Sequence, residues 1–115
     1  MNTHLSEERI QADCFQWFHN TYPELRGLLW HVPNGGSRNK AEGAKLKAMG
    51  VVSGVFDLHF YYKHQLYVIE MKSDTGKLSE AQKDWGGKVW KQGAMIFECR
   101  DLETFKIIIH AAISN

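Results

Sequence analysis

Two apolar stretches, residues 55–62 and 66–72, are rich in β-branched and aromatic side chains, yet they carry Asp57, Glu70 and Lys72. If the chain turns at Lys63 and His64, Asp57 stands opposite Glu70 in an antiparallel hairpin. Alternation then sets Asp57, His59 and Tyr61 on one face with Leu66, Val68, Glu70 and Lys72. Phe60, Tyr62, Tyr67, Ile69 and Met71 go to the other face. Directly opposed side chains stand about 5 Å apart at Cβ, where like charges destabilise a strand pair. A divalent cation is the economical reason for keeping both acids, because Mg²⁺ favours one or two carboxylates with waters and phosphate oxygens in its other positions. The Lys72 ammonium, on the same face, would orient a nucleophilic water or neutralise charge on a pentavalent phosphate. The plainer reading is a solvated strand face, since a Glu-x-Lys spacing alone says little and the turn lacks an Asn-Gly signal.

The elements that must position these residues follow from periodicity and punctuation. Ser6 caps a first helix, Glu7 and Glu8 suit its positive end, and Ile10, Cys14, Trp17 and Phe18 recur at helical spacing up to Pro23. Residues 28–32 read as a short strand that runs into a loop of Pro33, Asn34, Gly35, Gly36, Ser37 and Arg38. A short helix over 40–49 has Ala44, Leu46, Ala48 and Met49 as its apolar members, and Gly50 stops it. Ser79 begins another helix with Ala81, Trp85 and Val89 on one stripe, and its spacing to Gln82 is that of a capping box. Residues 94–99 read as a core strand, and Asp101 caps a last helix that buries Phe105, Ile108, Ile109 and Ala112. The order implies an α/β fold, a mixed sheet of about four strands flanked by helices.

Composition bounds the function classes. A chain of 115 residues fits one domain over 1–115, and 43% hydrophobic content excludes a disordered chain. There is no membrane-length apolar run and no secretory signal, and Cys14 and Cys99 lack metal or disulfide spacing, so a cytoplasmic protein with buried thiols is expected. Fourteen basic and thirteen acidic residues give +1, which sets up no overall basic field. That balance is compatible with a nucleic-acid partner, because carboxylates that hold metal offset lysines that hold phosphate. The histidines show no paired metal spacing, and core packing is expected for Trp17, Trp30, Trp85 and Trp90, with a subunit interface open to one of them.

Asp57 followed by Glu70, Met71 and Lys72 resembles the core of PD-(D/E)XK nucleases. More narrowly, the chain resembles the virus-type replication-repair nuclease (VRR-NUC) domain over about residues 6–113. The motifs that carry this are Glu7, Arg9, Ile10 and Gln11 with Trp17, the loop 32–38, residues 44–51, residues 54–58, residues 69–72, and residues 76–85. One position departs: Phe56 stands where the family usually has proline before the aspartate.

The resemblance implies a restriction-endonuclease-like fold and a Mg²⁺-dependent DNA endonuclease, with Mn²⁺ substituting, that leaves 5′-phosphate and 3′-hydroxyl ends. Asp57, Glu70 and the Met71 carbonyl would hold the metal, Lys72 would be the catalytic lysine, and Glu7 would reach the metal through water, with Glu8 the alternative. Gln82 would stand near the reacting groups, although the capping box also explains it fully. Asn34, Gly35, Gly36, Arg38, Lys40 and Lys77 would contact DNA, or the loop is a plain surface turn. The resemblance further implies a bacterial or phage-encoded protein acting on four-way or other branched DNA as a homodimer. Trp90, Phe97 and the run Ile107, Ile108 and Ile109 offer more apolar surface than one helix face buries. The rival readings are a nucleic-acid-binding module without cleavage and a nuclease for flap or single-stranded DNA or RNA.

Overall fold

Ser6 accepts a hydrogen bond from Arg9 N (3.1 Å) and opens α1 (Glu7–Thr21). The computed structural model describes residues 5–33 and 39–115. A 3₁₀ turn at Pro23–Leu25 redirects the chain into β1 (Leu29–His31). Then come α2 (Lys40–Ala48), the hairpin β2 (Leu58–Tyr62) and β3 (Gln65–Met71), α3 (Glu80–Lys91), β4 (Met95–Cys99) and α4 (Leu102–Ser114). The strands lie in the order β1-β2-β3-β4, the first three antiparallel and β4 parallel to β3. Among the described residues this is a four-stranded mixed sheet flanked by four helices.

The hairpin forms in the expected register, with Leu58 opposite Ile69 and Tyr62 opposite Gln65. Its two turn residues are both left-handed, Lys63 at φ 46° and His64 at φ 69°. Two successive positive φ values define the type I′ connection that matches strand twist, here built without the Asn-Gly pair that adopts it most easily. Alternation divides the sheet as predicted. Leu58, Phe60, Tyr67, Ile69 and Met71 join Ile10, Cys14 and Phe18 of α1 and Phe105, Ile108, Ile109 and Ala112 of α4 in one core. Cys14 and Cys99 are free thiols buried in it. Glu70 and Lys72 lie on the opposite face, where α3 packs by setting Trp85 on Phe56 (ring centroids 5.4 Å apart) and on His59 (5.6 Å).

The expected helix α2 forms and lies outside the core, with Leu46 half-buried and Met49 72% exposed. One expectation fails. Trp90 is 59% exposed and Trp30 39%, so neither is a core residue. Trp90 falls on the outer side of α3, and Trp30 belongs to a sheet-edge strand whose outer side no strand covers. Of the isoleucine run, Ile108 and Ile109 are buried while Ile107 is exposed, as a helix that faces a sheet on one side requires. Among the described residues no helix is long and apolar enough to cross a membrane.

Candidate active site

The backbone ladder between β2 and β3 stops at Leu58 and Ile69, and side chains continue it. Asp57 N donates to Glu70 Oε1 (3.1 Å), and Met71 N donates to Asp57 Oδ2 (3.0 Å). Each carboxylate thus satisfies the backbone of the opposite strand, which fixes both acids at the carboxyl end of β3. Lys72 N donates to Cys99 O of β4 (3.0 Å), holding the next residue in place. Its Nζ lies 3.3 Å from Glu70 Oε2, and both side chains are buried. Burial first, then the neighbouring Asp57 charge, pushes the Glu70 carboxyl from 4.5 up to about 7, against the opposing pull of Lys72.

Gln82 forms the expected cap and also touches Glu70. Its Oε1 accepts from Ser79 N (2.9 Å) while Ser79 Oγ accepts from Gln82 N (3.1 Å), the reciprocal capping box of α3. The cap directs the amide the other way, and Nε2 donates to Glu70 Oε2 (2.7 Å). The first turn of α3 reaches the acids because Gly54 admits it. Gly54 has φ +87°, and a Cβ there would stand 2.2 Å from Ala81 O. The departure at Phe56 has a packing account: its ring is 1% exposed and would stand 3.0 Å from a Cβ at Gly86 in α3. Phe56 thereby seats α3 behind the acids.

Glu7 approaches from the other side. A Cβ at Gly76 would lie 3.3 Å from Glu7 Oε2 and 3.4 Å from Lys72 Cδ, so the glycine leaves the Glu7 carboxylate room beside the lysine stem. Glu7, Glu8 and Asp57 line one cleft of about 870 Å³. Among the described residues no group of three or more His, Cys, Asp or Glu forms a ready metal cage. The pair Asp57 and Glu70 nevertheless fits a divalent ion, since two facing carboxylates, when both are ionised, outnumber the one Lys72 ammonium beside them. Mg²⁺ takes one or two protein carboxylates and completes its shell with other oxygens.

The domain model of the VRR-NUC family matches residues 5–101. The chain belongs to that family. A solved structure described as a VRR_NUC domain protein is similar to it with a TM-score of 0.73 at 22% identity, over 92% of this chain and 87% of the other. Comparison with curated protein sequences finds no match. Membership of the VRR-NUC family carries a nuclease-type function.

Lys40 is exposed at the first position of α2, and Lys77 is exposed in the segment between β3 and α3. Asn34, Gly35, Gly36 and Arg38 of the VRR-NUC loop lie outside the described residues. One positioning residue was invisible in the sequence. His31 Nδ1 stands 2.8 Å from Asp57 O, which also accepts from Val32 N (2.9 Å), so β1 holds the backbone that carries the Asp57 carboxylate. Only the β1-β2 register reveals this, because the residues are 26 positions apart. His59, on the same strand face as Asp57, is packed between Trp30 and Trp85, and burial lowers its pKa despite a bond to the Phe56 backbone.

Proposed function

We propose that this VRR-NUC domain is a Mg²⁺-dependent DNA endonuclease that hydrolyses phosphodiester bonds in branched DNA as a homodimer. The observation that carries the reading is the reciprocal bonding of Asp57 and Glu70 beside the buried Lys72 ammonium. Asp57, Glu70 and the Met71 carbonyl would hold the metal, with Glu7 contributing through water. A bound Mg²⁺ would supply Lewis-acid polarisation of the scissile phosphate and acidify the attacking water. Lys72 donates to the developing negative charge at the phosphate, from a site where burial strengthens that interaction. Gln82 fixes the Glu70 carboxylate, and the helix cap fixes Gln82. Lys40 and Lys77 contact the DNA backbone, joined by Asn34, Gly35, Gly36 and Arg38.

The retained Asp57, Glu70 and Lys72 favour cleavage over a binding-only module. A dimer is supported by apolar side chains left exposed around the edge strand β4, namely Met95 and Ile96 with Trp90 and Ile107. Two catalytic centres related by a two-fold axis match the symmetric cuts that a four-way junction needs. The test is one panel of four-way, flap, single-stranded and duplex DNA, with RNA counterparts, in Mg²⁺ and in Mn²⁺, alongside sedimentation at micromolar concentration. Paired cuts in the four-way junction by a species of twice the chain mass are expected. A monomer that cuts flap or single-stranded DNA and ignores junctions would overturn the dimer and the branch selectivity while leaving the metal site in place.

A further inference from the structure

The cleft that Asp57 helps to line runs between α1 and β1, and its volume of about 870 Å³ exceeds what a metal and a phosphate require. Ala12 and Phe15 of α1 form one wall, and Leu29 and Pro33 lie across from them on β1 and the segment after it. Gln11 and Gln16 add amide groups. Among the described residues lining it there is no lysine or arginine; Trp30 and the His31 imidazole complete the β1 side, and its carboxylates are Glu7, Glu8 and Asp57. With Asp57 and Glu7 engaged by the metal, the described remainder of the lining is apolar and amide-bearing and offers a phosphodiester backbone no lysine or arginine partner, only the Glu8 carboxylate. What fits is neutral and flat, with an apolar face and hydrogen-bonding edges.

We infer that the cleft receives the unpaired nucleobase flanking the scissile phosphate, so that the enzyme cuts where a nucleotide is unstacked. The inference rests on the nuclease reading and sharpens its substrate. Continuity with Asp57 places the occupant next to the reacting phosphate. The apolar, aromatic and amide lining fits a base better than a charged backbone. Aromatic and apolar walls with amide donors and acceptors are the surroundings in which proteins bind splayed bases, by stacking and through base edges. The Phe15 ring is half-buried, stacked on His19 at 6.0 Å, and therefore held in one orientation. A branch point or frayed end supplies an unstacked nucleotide directly, whereas continuous duplex must first be opened at a cost.

The test uses the wild-type protein in Mg²⁺ with whichever DNA of the substrate panel it cuts, four-way junction first, at a mapped cut position. That DNA is made with a normal nucleotide or an abasic residue on either side of the scissile phosphate. On one side the abasic residue is expected to lower kcat/KM by about 10-fold, the scale of one lost stacking partner. Ala12→Phe, which fills the cleft from an exposed helix position, should erase that difference, and Phe15→Ala should do the same. If Phe15→Ala melts early, Ala12→Phe still decides. A duplex carrying one mismatched nucleotide at the cut should be cleaved faster than its matched form. Equal cleavage of normal and abasic strands, or full discrimination retained in Ala12→Phe, would overturn the inference while the nuclease reading stands. Retained discrimination with a changed sedimentation mass would assign the cleft to a second copy of this chain. No cleavage of any substrate by the wild type would refute the nuclease reading and this inference with it.

Discussion

Removing the charge of Asp57 should stabilise the metal-free protein above neutral pH while destroying its activity. Raising the Glu70 carboxyl from 4.5 to about 7 means that the folded chain holds a proton there which the unfolded chain releases. Metal-free stability therefore falls as pH rises from about 5 through 7 and flattens above 8, by roughly 3 kcal/mol in all. Burial is the larger cause and survives the substitution; the Asp57 charge is the second cause and does not. Opposed carboxylates roughly 5 Å apart repel by roughly 3 kcal/mol at an effective dielectric near 20. Solvent at the half-buried Asp57 and the Lys72 ammonium reduce this to about 1 kcal/mol. Asp57→Asn keeps an oxygen to accept from Met71 N, so the fold retains its bond. Thermal melts in a chelator should show a Tm higher by about 3–5 °C at pH 8 and little changed at pH 5. Adding Mg²⁺ should raise the Tm of the wild type and leave the variant where it was. A variant that melts below the wild type at pH 8, or gains equally at both pH values, would refute the electrostatic account of the pair.

Other expected outcomes follow from single features. Lys63→Asn with His64→Gly relieves two left-handed non-glycine residues and should raise stability by about 1 kcal/mol in denaturant unfolding, with cleavage unchanged. Gly54→Ala drives a methyl into Ala81 O and should cost more than about 2 kcal/mol, lowering kcat as the first turn of α3 moves away from Glu70. Phe56→Pro, toward the usual family residue, should destabilise by about 3 kcal/mol in the same assay, because it empties the space against Trp85 and Gly86. Gln82→Ala should lower kcat by about 10-fold with little change in KM, since it frees one oxygen of Glu70 without touching a DNA contact.

Much of this was legible in the sequence because β-strand alternation has a strict period. Once Lys63 and His64 are taken as the turn, the register brings Asp57 to Glu70 and sends the aromatic residues to the core. The caps Ser6, Ser79 and Asp101 were legible because each acts within three residues of itself. What distant elements do to each other was not. A capping box gives Gln82 a complete local explanation, and only packing of α3 on the sheet shows its amide turned to Glu70. The same packing explains Phe56, whose type at that position looks like a loss until Gly86 is seen opposite it. For α2 the helix itself was legible, but its apolar residues carry no statement about whether a surface exists for them to cover.

The most direct test of the central claim is cleavage of end-labelled DNA in Mg²⁺ by the wild type, Asp57→Asn and Lys72→Ala, with DNA binding measured in parallel by anisotropy. Both variants are expected to retain binding, to melt as folded proteins, and to lose at least about 10²-fold in turnover. The wild type is expected to lose all cleavage in a chelator and to regain it when Mg²⁺ or Mn²⁺ is returned. Normal cutting by either variant, or undiminished cutting by the wild type without metal, would contradict the assignment of Asp57, Glu70 and Lys72 as the reacting centre.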